Sequence, residues 1–162
     1  MQLEPLAREL GALLKDAKQT VAVSESSSGG LVSAALLAQA GASKYFLGGG
    51  VIYTGPVRTA FLDLPTRLPE AVRSSSEPYA ALAAETVRAK LGATWGLAET
   101  GAAGPSGNRY GDAAGHTCIA VAGPVSGLAT IETGDGDREQ NMWLFTQAAL
   151  DELLRCVRAA RD

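Results

Sequence analysis

The chain has 162 residues, of which 46% are hydrophobic and 19% charged, a composition typical of a globular protein. The formal net charge is −3 at pH 7, and no basic cluster occurs, which argues against a nucleic-acid-binding surface. No apolar run reaches the length of a membrane span, and the acidic residues near the N-terminus argue against a signal peptide. We therefore expect a single domain over residues 1–162 that binds neither nucleic acid nor a membrane.

The two cysteines, Cys118 and Cys156, are far apart in the chain and form no Cys-x-x-Cys pair. This spacing argues against a zinc site and against a disulfide framework. We expect both to be reduced core residues of a cytoplasmic protein that holds no metal.

Hydrophobic periodicity predicts alternating helices and strands in the first part of the chain. Glycines at positions 48–50, inside the second predicted strand, indicate close approach of another backbone or of a ligand. The predicted elements are a helix over 4–18, a strand over 20–23, a helix over 30–40, a strand over 44–54 and a short helix over 57–62.

The later predicted elements include two successive strands that form a hairpin. Because helices alternate with the early strands and a hairpin comes late, we expect a three-layer α/β/α sandwich with a mixed β-sheet. The elements are a helix over 77–91 capped by Ser76, a strand over 94–100, a strand pair over 116–122 and 128–133, and a long helix after Asp137.

A tight turn rich in hydroxyl groups follows the first strand, within Val21–Gly30. The helix that begins after it carries unpaired backbone N–H groups and a partial positive charge at its first turn. Such N–H groups attract an anion or a developing oxyanion, and a serine placed there is a candidate nucleophile. The alternative is that Ser26–Ser28 only cap the helix.

Two further loops have the composition of ligand-binding segments, residues 53–58 and residues 100–107. The loop at 100–107, like the serine turn, directly follows a predicted strand. In α/β sheets, loops at strand ends bind ligands. We therefore expect the serine turn and the loop at 100–107 to lie at one edge of the sheet.

At these residues the sequence resembles the CinA C-terminal domain family, whose stand-alone bacterial members are nicotinamide-mononucleotide amidohydrolases. The resemblance covers nearly the whole chain. The family segments Ala-Glu-Ser-Cys-Thr-Gly-Gly, Gly-Ala-Ser-x-Tyr-Phe-Leu-Gly-Gly, Thr-Gly-Ile-Ala-Gly-Pro and Gly-Asp-Arg correspond to residues 24–30, 41–49, 100–105 (with Ala102 in place of Ile) and 136–138.

The resemblance implies cofactor-free hydrolysis of the carboxamide of a pyridine mononucleotide, giving nicotinic acid mononucleotide and ammonia. In that family a serine attacks the amide and a lysine takes its proton, and the serine corresponds to Ser26. With it we assign Tyr53 and Arg58 to the catalytic group. The expected substrate-binding residues are Glu25, Ser27, Ser28, Gly29, Gly30, Thr100, Gly101, Gly104 and Arg138.

Arg58 is the most informative departure from the family, because it stands at the position of the family's lysine base. A guanidinium stays protonated at any accessible pH and cannot take a proton from a serine. It can still hold a phosphate or polarise a carbonyl. Two further departures concern the segment at 72–77, which lacks the family's histidine, and Met142, which stands where the family has another arginine.

Other residues are candidates to replace the missing base, each with an ordinary structural alternative. Lys44 begins the second strand, and His116 forms a triad with Ser26 and Asp112 if the fold brings them together. Glu25 bonds either a ligand or the N–H groups of its own turn. The position of Arg138 at a helix start is better explained by a ligand phosphate than by solvent.

Two functions follow from these residues. The first is amide hydrolysis with Ser26 as nucleophile and the amides of Ser28–Gly30 holding the oxyanion. The second is a catalytically impaired relative that binds a nucleotide-like ligand or a protein partner. A third class, an interaction module in DNA uptake or damage response, is indicated only by the family's name. Apolar, alanine-rich helix surfaces would suit a homo-oligomer.

Overall fold

The computed structural model describes residues 3–161 and contains one five-stranded sheet in the order β2-β1-β3-β4-β5. Strand β1 pairs in parallel with β2 and β3, whereas β4 runs antiparallel between β3 and β5. The predicted mixed α/β sheet is therefore confirmed. The strands are β1 Val21–Glu25, β2 Phe46–Val51, β3 Trp95–Ala102, β4 His116–Ala122 and β5 Gly127–Glu132.

Helices cover both faces of the sheet. The first face packs against α1, α2 and α5, and the second against α3 and α4. This arrangement is the predicted three-layer sandwich. The helices are α1 Glu4–Asp16, α2 Leu31–Leu37, α3 Gly55–Leu62, α4 Glu77–Leu91 and α5 Arg138–Ala159, with short 3-10 turns at Ala42–Lys44 and Glu70–Val72.

The two faces of the sheet carry side chains of different size. In β4, Ile119 and Val121 point to the first face, whereas Cys118 and Ala120 point to the second. The small side chains on the second face let α4 approach closely. At Gly96 an added Cβ would lie 2.0 Å from the backbone oxygen of Ala84.

Most element boundaries agree with the sequence within a few residues, and two differ more. Helix α2 ends at Leu37 rather than at residue 40, and β2 is shorter at both ends than the predicted strand. The glycine run of β2 pairs along β1, and a Cβ at Gly49 would lie 2.8 Å from the Ser33 hydroxyl of α2. The close neighbours at this glycine are thus a helix side chain and the adjacent strand.

The carboxyl ends of the parallel strands β1, β2 and β3 lie at one edge of the sheet. Strand β4 begins at the same edge, because His116 pairs with Ala102 at the end of β3. Within residues 3–161, no helix combines the length and the apolar composition needed to cross a bilayer. Both cysteines are free and buried.

Candidate ligand-binding site

The N-terminus of α2 is neutralised by a carboxylate of the protein itself. Glu25, at the end of β1, is 1% exposed. It accepts hydrogen bonds from the backbone N–H groups of Gly30, Val32 and Ser33 at 2.9, 3.1 and 3.0 Å. A buried carboxylate needs such donors, and a helix start supplies them together with a favourable dipole. Of the two roles considered for Glu25, the geometry shows bonding within its own turn.

A second buried carboxylate, Glu99 of β3, holds the serine turn from the other side. It accepts from the backbone N–H groups of Ser26 and Ser28 at 3.0 and 2.9 Å, and also from the hydroxyls of Ser27 and Thr117. The Ser28 hydroxyl lies 2.9 Å from both Glu25 Oε2 and Glu99 Oε2. The turn is therefore fixed by internal hydrogen bonds on both sides.

This network corrects the expected oxyanion site. The N–H of Ser28 donates to Glu99, that of Gly29 to the Ser26 carbonyl and that of Gly30 to Glu25. None of these three amides is free for a ligand, because the buried carboxylates and the turn itself already use them. Ser28 is fully buried, and exposed Gly29, with φ of +67°, lies against the methyl group of Met142.

Ser26 itself is partly exposed, and its hydroxyl makes no hydrogen bond to any group in residues 3–161. It lines a cavity of about 200 Å³ at the carboxyl edge of the sheet, here called the Ser26 cavity. The structure thus brings together the three residues assigned to the catalytic group. The lining residues are Ser26, Ile52, Tyr53, Arg58, Ser74, Ser75, Tyr79, Thr100 and Gly101.

Arg58 of α3 lines this cavity with a buried guanidinium, the residue being 7% exposed. Its Nε donates to the Tyr79 hydroxyl at 3.1 Å, Nη1 to the Thr66 carbonyl at 3.2 Å and Nη2 to the Ser74 hydroxyl at 2.7 Å. The guanidinium also lies over the Tyr79 ring, 4.8 Å from its centroid. Within residues 3–161, Arg58 makes no salt bridge to a carboxylate.

One wall of the cavity is held in a strained conformation. Ser75 has a φ of +58°, which is unusual for a residue with a side chain. Its N–H donates to the Thr100 hydroxyl at 3.1 Å, and its carbonyl accepts from His116 Nε2 at 2.9 Å. Arg73 binds the carboxylate of Asp112 through two hydrogen bonds of 2.7 and 3.0 Å. These contacts fix the wall.

The triad of Ser26, His116 and Asp112 is not formed. His116 places Nδ1 against Glu132 and Nε2 against the Ser75 carbonyl. Burial lowers the pKa of His116, but the hydrogen bond to Glu132, the bond to the Ser75 carbonyl and the charge of Asp112 outweigh it and raise the pKa above its usual value. Both ring nitrogens face oxygen acceptors of the protein, so His116 anchors the wall and is not placed as a base for Ser26.

The remaining base candidate is also distant from Ser26. Lys44 is exposed and lies just before β2, at the amino ends of the parallel strands, opposite to the edge that carries Ser26. In the part of the chain from residue 3 to residue 161, no group of three His, Cys, Asp or Glu side chains is arranged to hold a metal ion.

A second cavity, of about 250 Å³, adjoins the first and shares Tyr53 and Gly101 with it; it is here called the Arg138 cavity. Arg138 donates to the Gly104 carbonyl at 2.6 Å and to the Tyr53 hydroxyl at 3.1 Å. Like Arg58, it makes no salt bridge among the described residues. The lining residues are Ser27, Tyr53, Gly101, Ala102, Ala103, Gly104, Ser106, Gly107, Asn108 and Arg138.

Most of the expected site residues therefore meet at one edge, with four exceptions. Glu25, Ser28 and Gly30 support the turn from within, and Gly29 lies outside both cavities. Sequence analysis missed Ser74 and Tyr79, which hold Arg58, and it missed Glu99. Glu99 had a detectable signal, because it is the only charged residue in β3, and a charge inside a buried strand needs nearby donors.

Comparison with known proteins assigns the chain to a family. The sequence profile of the CinA C-terminal domain matches residues 3–157. The chain is 40% identical over 152 residues to a CinA-like protein of Desulfosudis oleivorans, covering 93% of this chain and 37% of the relative. It is also 40% identical over 131 residues to a CinA-like protein of Synechococcus, covering 81% of this chain and 31% of the relative. The chain thus spans about a third of the length of these curated relatives.

Solved structures give the same assignment. The crystal structure of a competence-damaged protein (CinA) superfamily protein from Escherichia coli matches with a TM-score of 0.88 at 27% identity, covering 95% of this chain and 90% of that one. The competence/damage inducible protein CihA from Agrobacterium tumefaciens matches with a TM-score of 0.85 at 25% identity, covering 99% of this chain and 96% of that one. The chain belongs to the CinA C-terminal domain family.

Proposed function

We propose that the Ser26 and Arg138 cavities together bind a pyridine mononucleotide. The substituent of the pyridine ring lies at Ser26 and Arg58, and the phosphate lies toward Arg138. Two adjoining cavities, each with an arginine that has no carboxylate partner in residues 3–161, support this orientation. Arginine is well suited to phosphate because its planar guanidinium offers several donors to the phosphate oxygens.

Hydrolysis of the carboxamide would need three events at this site. The Ser26 oxygen would attack the carboxamide carbon, a base would take the hydroxyl proton, and ammonia would leave before water releases the acid. The nucleophile and donors for the developing oxyanion are available, since Tyr53 and Arg58 line the same cavity. These features favour amide hydrolysis as a candidate function.

The base is the part that the cavity lacks. Its lining includes no Lys, His, Asp or Glu side chain, and Arg58 cannot accept a proton. Without a base a serine hydroxyl is a weak nucleophile. We therefore propose binding of the nucleotide without efficient hydrolysis as the function that the geometry supports best. The observation that carries it is that Arg58, and no proton acceptor, lies with Ser26 in the cavity.

Ammonia release from nicotinamide mononucleotide separates the two candidates. We expect the wild-type protein to stay at the background rate and Arg58→Lys to gain turnover, because a desolvated lysine can titrate into the range of a general base. The double variant Ser26→Ala, Arg58→Lys is the matched control and should return to background. Turnover by the wild type that is lost in Ser26→Ala would instead establish hydrolysis, and turnover unaffected by Ser26→Ala would place the chemistry elsewhere.

The proposal includes a cytoplasmic homo-oligomer. Two free, buried cysteines are in keeping with a reducing compartment. The exposed apolar side chains of Leu47 and Phe61 line one cleft beside edge strand β2, and this cleft supports self-association. Sedimentation of the wild type against Phe61→Glu tests this part separately from the activity.

A further inference from the structure

Arg58 carries a permanent charge into the protein interior, and no carboxylate within residues 3–161 is paired with it. Other arginines of the chain, such as Arg73 with Asp112 and Arg155 with Glu152, are paired with carboxylates. Arg58 is nearly as buried as a core residue, yet its three hydrogen-bond partners are all uncharged oxygens. An unpaired buried charge is costly. A guanidinium has five N–H donors, so the three bonds leave two donors without a partner in residues 3–161.

The oxygens around Arg58 restrict which ligand group fits beside it. A carboxamide brings an NH₂ group that needs acceptors, and a guanidinium is never an acceptor. Two hydroxyl oxygens of the cavity already accept hydrogen bonds, that of Ser74 from Arg58 and that of Thr100 from the Ser75 N–H. The Ser26 hydroxyl, in contrast, is free to donate. The cavity therefore presents spare donors and a positive charge.

We propose that the Ser26 cavity selects a pyridine mononucleotide that carries a carboxylate in preference to one that carries a carboxamide. The carboxylate accepts from the two remaining guanidinium donors and from the Ser26 hydroxyl, and it supplies the missing counter-charge. Charge-assisted hydrogen bonds of this kind are about twice as strong as neutral ones. This inference rests on the proposed function, since it assigns the ligand class of the same site.

Calorimetric titration with the two nucleotides tests the preference. At pH 7.5 we expect nicotinic acid mononucleotide to bind the wild type about tenfold more tightly than nicotinamide mononucleotide, a ratio equal to about 1.4 kcal/mol. Arg58→Gln should bind the two nucleotides with equal affinity. Arg67→Gln, which removes the same charge from an exposed position on the loop after α3, is the matched control and should keep the preference for the acid. Ribose 5-phosphate shows whether the phosphate alone accounts for binding, and it should bind more weakly than either nucleotide.

The outcomes distinguish failure of the inference from failure of the proposed function. Equal affinity for the acid and the amide, or ribose 5-phosphate binding as tightly as the acid, overturns the inference and leaves the proposed function in place. If neither nucleotide binds, both the inference and the proposed function are overturned. If Arg58→Gln does not fold, the double variant Ser26→Ala, Arg58→Lys provides the test, because it should not hydrolyse the amide during the titration. Its preference for the acid should fall as the pH rises and the lysine loses its proton, whereas the wild-type preference should stay constant. A wild-type preference that falls in parallel with the variant's would contradict a role for the guanidinium.

Discussion

Among single residues, Glu99 shows how a charged side chain can organise a site without touching a ligand. It receives hydrogen bonds from the N–H groups of Ser26 and Ser28, and from the hydroxyls of Ser27 and Thr117. Ser26 therefore keeps its position because an acid in the neighbouring strand holds its backbone. The division of roles is clear: Glu99 fixes the turn, whereas Arg58 faces the cavity.

Replacement of Glu99 by glutamine tests this role. The amide NH₂ group of Gln would face backbone N–H donors, and at least one buried donor would lose its acceptor. We expect Glu99→Gln to lower the free energy of unfolding by about 1–3 kcal/mol, the cost of an unsatisfied buried polar group. Urea denaturation at pH 7 measures it. Glu70→Gln, at an exposed position, is the control, and equal losses in the two variants would contradict a special role for Glu99.

The sequence predicts which secondary-structure elements form, and whether each is a helix or a strand, better than it predicts where each element ends. Helix α4 begins after its Ser76 cap and ends before Gly92 as expected, because both ends carry residues with clear capping preferences. Helix α2 ends three residues early, since an alanine-rich stretch continues past Leu37 without a sequence signal for the end. The fold class was therefore predictable and the boundaries only in part.

A site residue could be predicted only where the signal lies within its own segment of the chain. Ser26 and Arg58 were identified from the resemblance of their own segments to the family motifs, and both line the cavity. Glu99 and Tyr79 come from elements more than 20 positions away from the residues they bind. Their partners depend on strand order and helix packing, which a single sequence does not specify. The engagement of the Ser28 amide by Glu99 was missed for the same reason, whereas bonding of Glu25 within its own turn was among the alternatives.

The close packing of α4 on the sheet gives a prediction for one glycine. Gly96→Ala would place a methyl group 2.0 Å from the Ala84 carbonyl oxygen, a backbone atom that can move only with the helix. We expect the free energy of unfolding to fall by about 3 kcal/mol, the upper end of the range for overpacked sites. Thermal or urea unfolding measures it. Gly136→Ala, whose nearest atom would be 3.5 Å away, should change stability little, and a similar loss there would argue against steric overlap as the cause.

Across the whole molecule, His116 joins the two antiparallel strands to the wall of the cavity. It lies at the start of β4, its Nδ1 meets Glu132 at the end of β5, and its Nε2 meets Ser75 before α4. Asp112 also approaches the ring, at 3.8 Å from Nε2. Protonation of one side chain thus connects the sheet edge with the strained segment that lines the site.

The raised pKa of His116 makes global stability depend on pH. The folded state holds the proton of His116 more tightly than the unfolded state. The contribution of His116 to the free energy of unfolding is therefore complete below the ordinary pKa of 6.5, and it is lost as the pH rises through the folded-state pKa. We expect the stability difference between wild type and His116→Gln to be larger at about pH 6 than at about pH 9. Urea midpoints across this range measure it. In Glu132→Gln the loss of stability should begin at lower pH. A stability difference between wild type and His116→Gln that grows with pH would refute the raised pKa of His116.

The carboxylate-bound turn has a consequence for how a ligand is received. A loop whose amides are satisfied only by a bound phosphate becomes ordered on binding, and binding then bears the entropic penalty of that ordering. Here Glu25 and Glu99 already satisfy those amides from inside the protein. The turn is therefore preorganised before a ligand binds. Selectivity then depends on the few side chains that line the cavities rather than on a rearrangement of the main chain.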